Sequence, residues 1–180
     1  MHQKGQQILA FRDGTLLWGS AIYRCCLGFA GVSQKKREGD GFSPVGCFAL
    51  RKVMFRADRL KNLTTTLPIH PITPKDGWCD EPGDSRYNKI VSLPYPASAE
   101  PLWRADNLYN IVVVLGYNDD PVIPYLGSAI FLHCINKEYK PTRGCIALRE
   151  EDLIEILKDS SVITELCILE SRIRSSAAGS

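Results

Sequence analysis

Apolar residues in this chain arrive in short runs of about four to eight, and only one segment repeats them at a helical period. That pattern constrains the fold more than any other feature, because strands need few residues per span while helices need ten or more. Ile8-Leu-Ala-Phe11 and Thr15-Leu-Leu-Trp18 flank Asp13-Gly14, a pair suited to a tight turn, and read as a hairpin. Ser20 to Leu27, Phe48 to Phe55, Ile111 to Leu115, Ser128 to His133 and Val162 to Leu169 read as further strands. Side chains alternate along a strand, so Cys25 and Cys26 are expected on opposite faces. Arg149 to Asp159 is the expected helix. Leu153, Ile156 and Leu157 share one face there, and Glu150, Glu151 and Asp152 occupy the first turn, where the helix dipole favours acids. The fold class is mainly β.

The connections carry as much information as the strands. Residues 31–46 hold four glycines and Pro44, a sharply turning polar loop carrying Lys36, Arg37, Glu38 and Asp40, which reads either as a solvated surface loop or as the lining of a cleft whose charges hold a polar peptide. Leu60 to Pro101 carries seven prolines and little periodicity. So long an irregular segment is uncommon in a compact domain unless it is functional or disordered, and Trp78, Tyr87 and Tyr95 argue for order. It is expected to form a groove, with Asp80, Arg86, Tyr87 and Asn88 facing a substrate and His70 packed or solvated. An arginine there is suited to holding a carboxylate bidentately.

Length and charge narrow the function. The chain has 180 residues, 44% hydrophobic and 23% charged, with net charge +2. This fits one domain over 1–170, followed by a small polar tail, 171–180, that reads as disordered. So small a charge gives no nucleic-acid footprint. No apolar run is long enough to span a membrane, and residues 1–7 show no secretory signal. Seven cysteines at 25, 26, 47, 79, 134, 145 and 167 show no regular spacing and no CxxC pair. They do not read as a disulfide framework, and free thiols fit a reducing compartment.

Chemistry concentrates in Gly127-Ser-Ala-Ile-Phe-Leu-His133 and Thr142-Arg-Gly-Cys-Ile-Ala-Leu148. His133 stands at the end of a buried run, and Cys145 follows a glycine. A thiol with a free pKa of about 8.5 is a few per cent ionised at neutral pH, so a nearby imidazole base matters. Gly144 allows tight backbone geometry that would aim amide hydrogens at an oxyanion. Adjacent strand residues face opposite ways, so Cys134 is expected to pack, and a metal site built from His133, Cys134 and Cys145 is disfavoured. No cofactor or metal is called for.

These residues resemble the L,D-transpeptidase catalytic domain (YkuD-type), whose core is a histidine at a strand end, a short loop and a Ser/Thr-x-Gly-Cys segment. The match is His133 with Thr142-Arg143-Gly144-Cys145-Ile146. It extends to Lys36-Arg-Glu-Gly-Asp-Gly-Phe-Ser-Pro-Val-Gly-Cys-Phe48, to Gly77-Trp-Cys-Asp80 with Tyr87-Asn88, and to Val112–Asn118, over roughly residues 20 to 168. Arg143 stands where the better-known branch has histidine, and Leu148 where that branch favours Asn or Arg.

The resemblance implies a β-sandwich of mixed sheets with a few peripheral helices, acting on peptidoglycan stem peptides. Cys145 would be the nucleophile and His133 the base. Gly144 and Arg143 would support the oxyanion, and Asn118 and Ser128 would join the substrate contacts. Water as acceptor would make the same site an L,D-carboxypeptidase, and a non-catalytic peptidoglycan-binding module is the alternative from another class. Work on the wall places the protein in the periplasm or cell envelope, which the thiol count opposes. The sequence leaves the oligomeric state, the acceptor and the group orienting His133 open.

Overall fold

The computed structural model describes residues 6–34, 37–135 and 138–171. The expected disordered tail, from 172 onward, and Lys36 of the glycine-rich loop lie outside these residues. β1 (Gln7–Phe11) and β2 (Thr15–Trp18) pair antiparallel as the expected hairpin. Gly14 supplies the left-handed turn at φ +81, and its N–H bonds the Phe11 carbonyl at 2.9 Å. β3 (Ala21–Arg24) continues the meander, and the polar loop contains a short parallel pair, β4 (Gly31–Ser33) and β5 (Phe42–Pro44).

β6 (Gly46–Phe55) runs through the middle of the molecule. The proline-rich excursion is ordered. It places β7 (Ile69–Pro71) beside β6, then folds β8 (Asp76–Cys79), β9 (Ile90–Ser92) and β10 (Ala99–Pro101) into a three-stranded sheet. β11 (Ile111–Leu115), β12 (Phe131–Cys134) and β13 (Ile146–Leu148) follow, then helix α1 (Glu150–Asp159) and β14 (Glu165–Leu169).

The fold is mainly β. Among the described residues the principal sheet has 9 strands in the order β13-β12-β11-β6-β14-β1-β2-β3, with β7 alongside β6. It is mixed, because β12–β13, β1–β14 and β6–β7 are parallel while its other pairs are antiparallel. Its two edges meet. Just past β3, Cys26 exchanges backbone bonds of 2.8 and 2.9 Å with Ala147 of β13, curling the sheet into a nearly closed barrel. α1 buries Leu153, Ile156 and Leu157 completely, as its period requires. No helix of the described residues is long and apolar enough to cross a membrane.

Alternation along the strands divides the core in two. Ile111, Val113 and Leu115 of β11 join Leu132 and Cys134 of β12 in the larger cluster with α1. Val112, Val114 and Phe131 face the other way, onto Trp78 and Leu102 of the excursion, with Cys145 at that cluster's edge. Each such side chain contributes about 1.5–3 kcal/mol by leaving water. The strand period therefore sends His133 to the same side as Phe131 and Cys134 to the opposite side.

The expectation about cysteines is overturned at one pair. Cys47 on β6 and Cys167 on β14 are register partners and form a disulfide. Their sequence separation of 120 gives no spacing signal, because only the antiparallel pairing of β6 with β14 brings them together. Cys25, Cys26, Cys79, Cys134 and Cys145 form no disulfide.

Candidate active site

β12 ends later, and begins later, than the apolar run suggests. Pairing starts at Phe131, because Ala129 takes a left-handed φ of 53 and its N–H turns to Asn88 Oδ1 at 3.0 Å. His133 is the third residue of the strand and 6% exposed. Its Nδ1 lies 2.7 Å from the Cys134 carbonyl. A carbonyl can only accept, so Nδ1 carries the proton and Nε2 is the acceptor of the neutral ring. This carbonyl is the orienting group that leaves no trace in a sequence. Tyr109 packs edge-on to the imidazole at 5.4 Å. Burial, seconded by the Arg104 charge and opposed by the Cys134 carbonyl, pushes the His133 pKa down to about 4. At neutral pH the ring is uncharged.

Cys145 precedes β13 and is 9% exposed. Its thiol donates to the Ala129 carbonyl at 3.1 Å, and the Phe131 N–H points to the sulfur at 3.4 Å. Two hydroxyls fix the turn before it. Thr142 Oγ1 accepts the Gly144 N–H at 3.1 Å and donates to the Cys145 carbonyl at 2.6 Å. Fully buried Ser43, from the glycine-rich loop, donates to the Gly144 carbonyl at 2.9 Å. Gly144 has φ +128, and a Cβ there would lie 2.9 Å from the Phe42 carbonyl oxygen. Gly144→Ala is expected to cost about 1–3 kcal/mol from strain and crowding, measured as a lowered denaturant midpoint at unchanged m-value.

Cys145 and His133 line one cleft of about 740 Å³, together with Arg143, Asp80 and Ser128. Asp80 Oδ1 is buried and finds no hydrogen-bond partner among the described residues, so it has capacity for a donor from a ligand. Four other residues expected to touch substrate lie outside this cleft. Arg86 donates to the Ile90 carbonyl at 2.9 Å and sits in a separate depression of about 500 Å³ with His70 and Asp76, themselves paired at 3.2 Å.

Tyr87 donates to Glu38 at 2.5 Å and accepts the Gly127 N–H at 3.0 Å; burial, then the Glu38 carboxylate, raise its pKa far above the ordinary phenol range. Asn88 accepts from Trp78 Nε1 and the Ala129 N–H, and donates to the Tyr117 and Asn118 carbonyls. Asn118 closes its own loop through Ile123 and Gly127. Tyr87, Asn88 and Asn118 thus hold the loop that carries Ser128 and Ala129 beneath the thiol. Glu38, Glu100, Arg104, Tyr109 and Lys140 also line the cleft. Of these, the sequence marks only Glu38, through its glycine-rich loop.

His133 and Cys134 face opposite sides of β12 and belong to no common donor set. Among the described residues, the donors that come within 4.8 Å of one another are Cys47, Glu165 and Cys167, two of them already joined as a disulfide.

No curated protein matches the chain. Its fold is similar to the crystal structure of Mycobacterium tuberculosis L,D-transpeptidase 1, at 10% identity and TM-score 0.44, covering 93% of this chain and 60% of that one. The Ldtfm–avibactam carbamoyl enzyme is similar at 8% identity and TM-score 0.49, with 94% and 51% covered. The Campylobacter jejuni helical cell shape determining protein Pgp2 is similar at 15% identity and TM-score 0.38, with 92% and 48% covered. The chain spans less than two thirds of the length of each of these structures. The family model for the YkuD L,D-transpeptidase catalytic domain matches residues 2–164, and to that family the chain belongs.

Proposed function

We propose that the protein is a cysteine-dependent acyltransferase acting on peptidoglycan stem peptides. Cys145 gives its proton to His133 Nε2 and attacks the carbonyl of the diamino acid at position three. His133 passes that proton to the departing D-Ala amine, leaving a thioester on Cys145, and one residue serves as base and then acid. Arg143 and the Cys145 amide assist the oxyanion. The Gly144 amide, directed to Thr142 Oγ1, shapes the turn instead. Asp80 and Ser128, on the cleft wall, contact the peptide. An amine on a neighbouring stem then takes the acyl group to form a cross-link.

The observation that carries this reading is the meeting of Cys145, from the turn before β13, with the neutral His133 of β12 in one cleft. The Cys47–Cys167 disulfide favours an oxidising compartment, and so the cell envelope. Incubation with a disaccharide-tetrapeptide followed by mass spectrometry tests the reading. A dimer mass is the expected product. Loss of D-Ala alone identifies a carboxypeptidase, and an unchanged substrate with no protein adduct leaves a binding module.

A further inference from the structure

The cleft contains an acidic group that the acylation step does not use. Glu100 lies on β10, opposite Trp78 of β8, and its side chain is 33% exposed. It accepts the Tyr109 hydroxyl at 2.8 Å, and Arg104 Nη1 lies 3.9 Å away. The same Tyr109 packs edge-on to His133, while the Arg104 guanidinium sits 5.2 Å from the Tyr109 ring centre. Charged groups therefore face Glu100 from three sides: Arg104 after β10, Asp80 after β8 and Arg143 before β13. Burial raises the Glu100 pKa, against the lowering pull of Tyr109, Arg104 and Arg143 and with Asp80 adding to the rise.

Resting on the proposed acyl transfer, we infer that Glu100 is the base that deprotonates the acceptor in the second half-reaction, with Tyr109 holding its carboxylate at the cleft wall. A stem amine arrives as an ammonium with a pKa near 10, and only about one molecule in a thousand is neutral at pH 7. One proton passes from the ammonium to the Glu100 carboxylate. The freed lone pair attacks the thioester carbon, the C–N bond forms, and the C–S bond breaks. The second proton on nitrogen moves through His133 to the Cys145 sulfur, restoring the thiol and the neutral ring. Glu100 then releases its proton to solvent through its exposed third. His133 carries the second proton on nitrogen back to sulfur, so the first proton needs a separate acceptor on the cleft wall, where Glu100 lies. A carboxylate with a raised pKa is closer to the operating pH.

Glu100→Gln separates the two halves. Intact-protein mass spectrometry after rapid mixing with disaccharide-tetrapeptide is expected to show acylation within about threefold of wild type. The acyl-enzyme is then expected to accumulate, with turnover to dimer slowed about a hundredfold or more. Wild-type deacylation is expected to rise with pH along a limb that the variant lacks. Tyr109→Phe keeps the ring against His133 but removes the hydroxyl bond that favours the carboxylate, and is expected to move that limb to higher pH.

Deacylation by Glu100→Gln at the wild-type rate, or equal slowing of both halves, overturns the assignment. If Glu100→Gln does not fold, an unmoved limb in Tyr109→Phe overturns it. Absence of any acyl-enzyme in the wild type is a different failure, that of the acyl-transfer reading itself.

Discussion

Cys145→Ala is expected to yield no acyl-enzyme at all and to lower turnover of a disaccharide-tetrapeptide by about four orders of magnitude or more, the scale seen when a covalent nucleophile is deleted. The loss should be chemical. Cys145 sits at the edge of the cluster formed by Trp78, Phe131 and Val112, and the variant removes a sulfur without touching the aromatic packing. Substrate binding, followed by isothermal calorimetry, should persist within a few-fold. Selective alkylation gives a second reading of the same residue. Cys25, Cys79 and Cys134 are buried at 3%, 0% and 1% exposure, and burial raises each of their pKa values, to about 12 for Cys25 and Cys134. Cys47 and Cys167 are joined. Cys26 is more exposed than Cys145 but has a pKa raised by burial. On the proposed acyl-transfer chemistry, in which His133 takes the Cys145 proton, iodoacetamide should modify Cys145 first. A Cys145→Ala protein that still turns over substrate, or a wild type in which Cys26 reacts first, would sink the nucleophile assignment.

Local chemistry was legible in the sequence, and three-dimensional convergence was not. The Asp13-Gly14 turn, the Ile111–Leu115 strand and the face of α1 follow from periods and turn residues that act over a few positions. His133, Arg143 and Cys145, which line the cleft, stand out in the sequence because a histidine closes one apolar run and an Arg-Gly-Cys step opens the next. Tyr87 and Asn88 stand out as polar residues in a proline-rich segment, which is the composition of a binding surface as much as of a brace. In the folded chain Asn88 uses both ends of its amide on Trp78, Ala129, Tyr117 and Asn118. Glu100 and Tyr109 were invisible for the converse reason. One lies on a three-residue edge strand and the other in a turn, and no periodicity announces that they share a wall with the thiol. The disulfide was missed because its two strands meet through topology, 120 residues apart.

His133→Gln is expected to remove both the base and a pH dependence of stability. The native imidazole, 6% exposed, has its pKa lowered from 6.5 to about 4 by burial, with Arg104 acting in the same direction. Above pH 6.5 the ring is neutral in folded and unfolded chains alike, and the histidine adds no penalty. As pH falls from 6.5 towards 4 the unfolded chain takes up a proton that the folded ring refuses, so folded stability declines across that window. Below about pH 4 both states are charged and the decline stops, at a loss of about 3 kcal/mol. Carboxylates titrate in part of the same range, which is why the quantity to measure is the difference between proteins. Urea unfolding of wild type and His133→Gln at pH 4, 5, 6 and 7.5 should give curves that converge towards acid, the wild type losing the extra stability. Parallel curves would mean that the ring is reached by solvent and titrates normally. A neutral base held at low pKa has a kinetic signature as well. Acylation by the wild type should hold its rate well below pH 6.5, and the variant should be slower by about 10²–10⁴ at every pH.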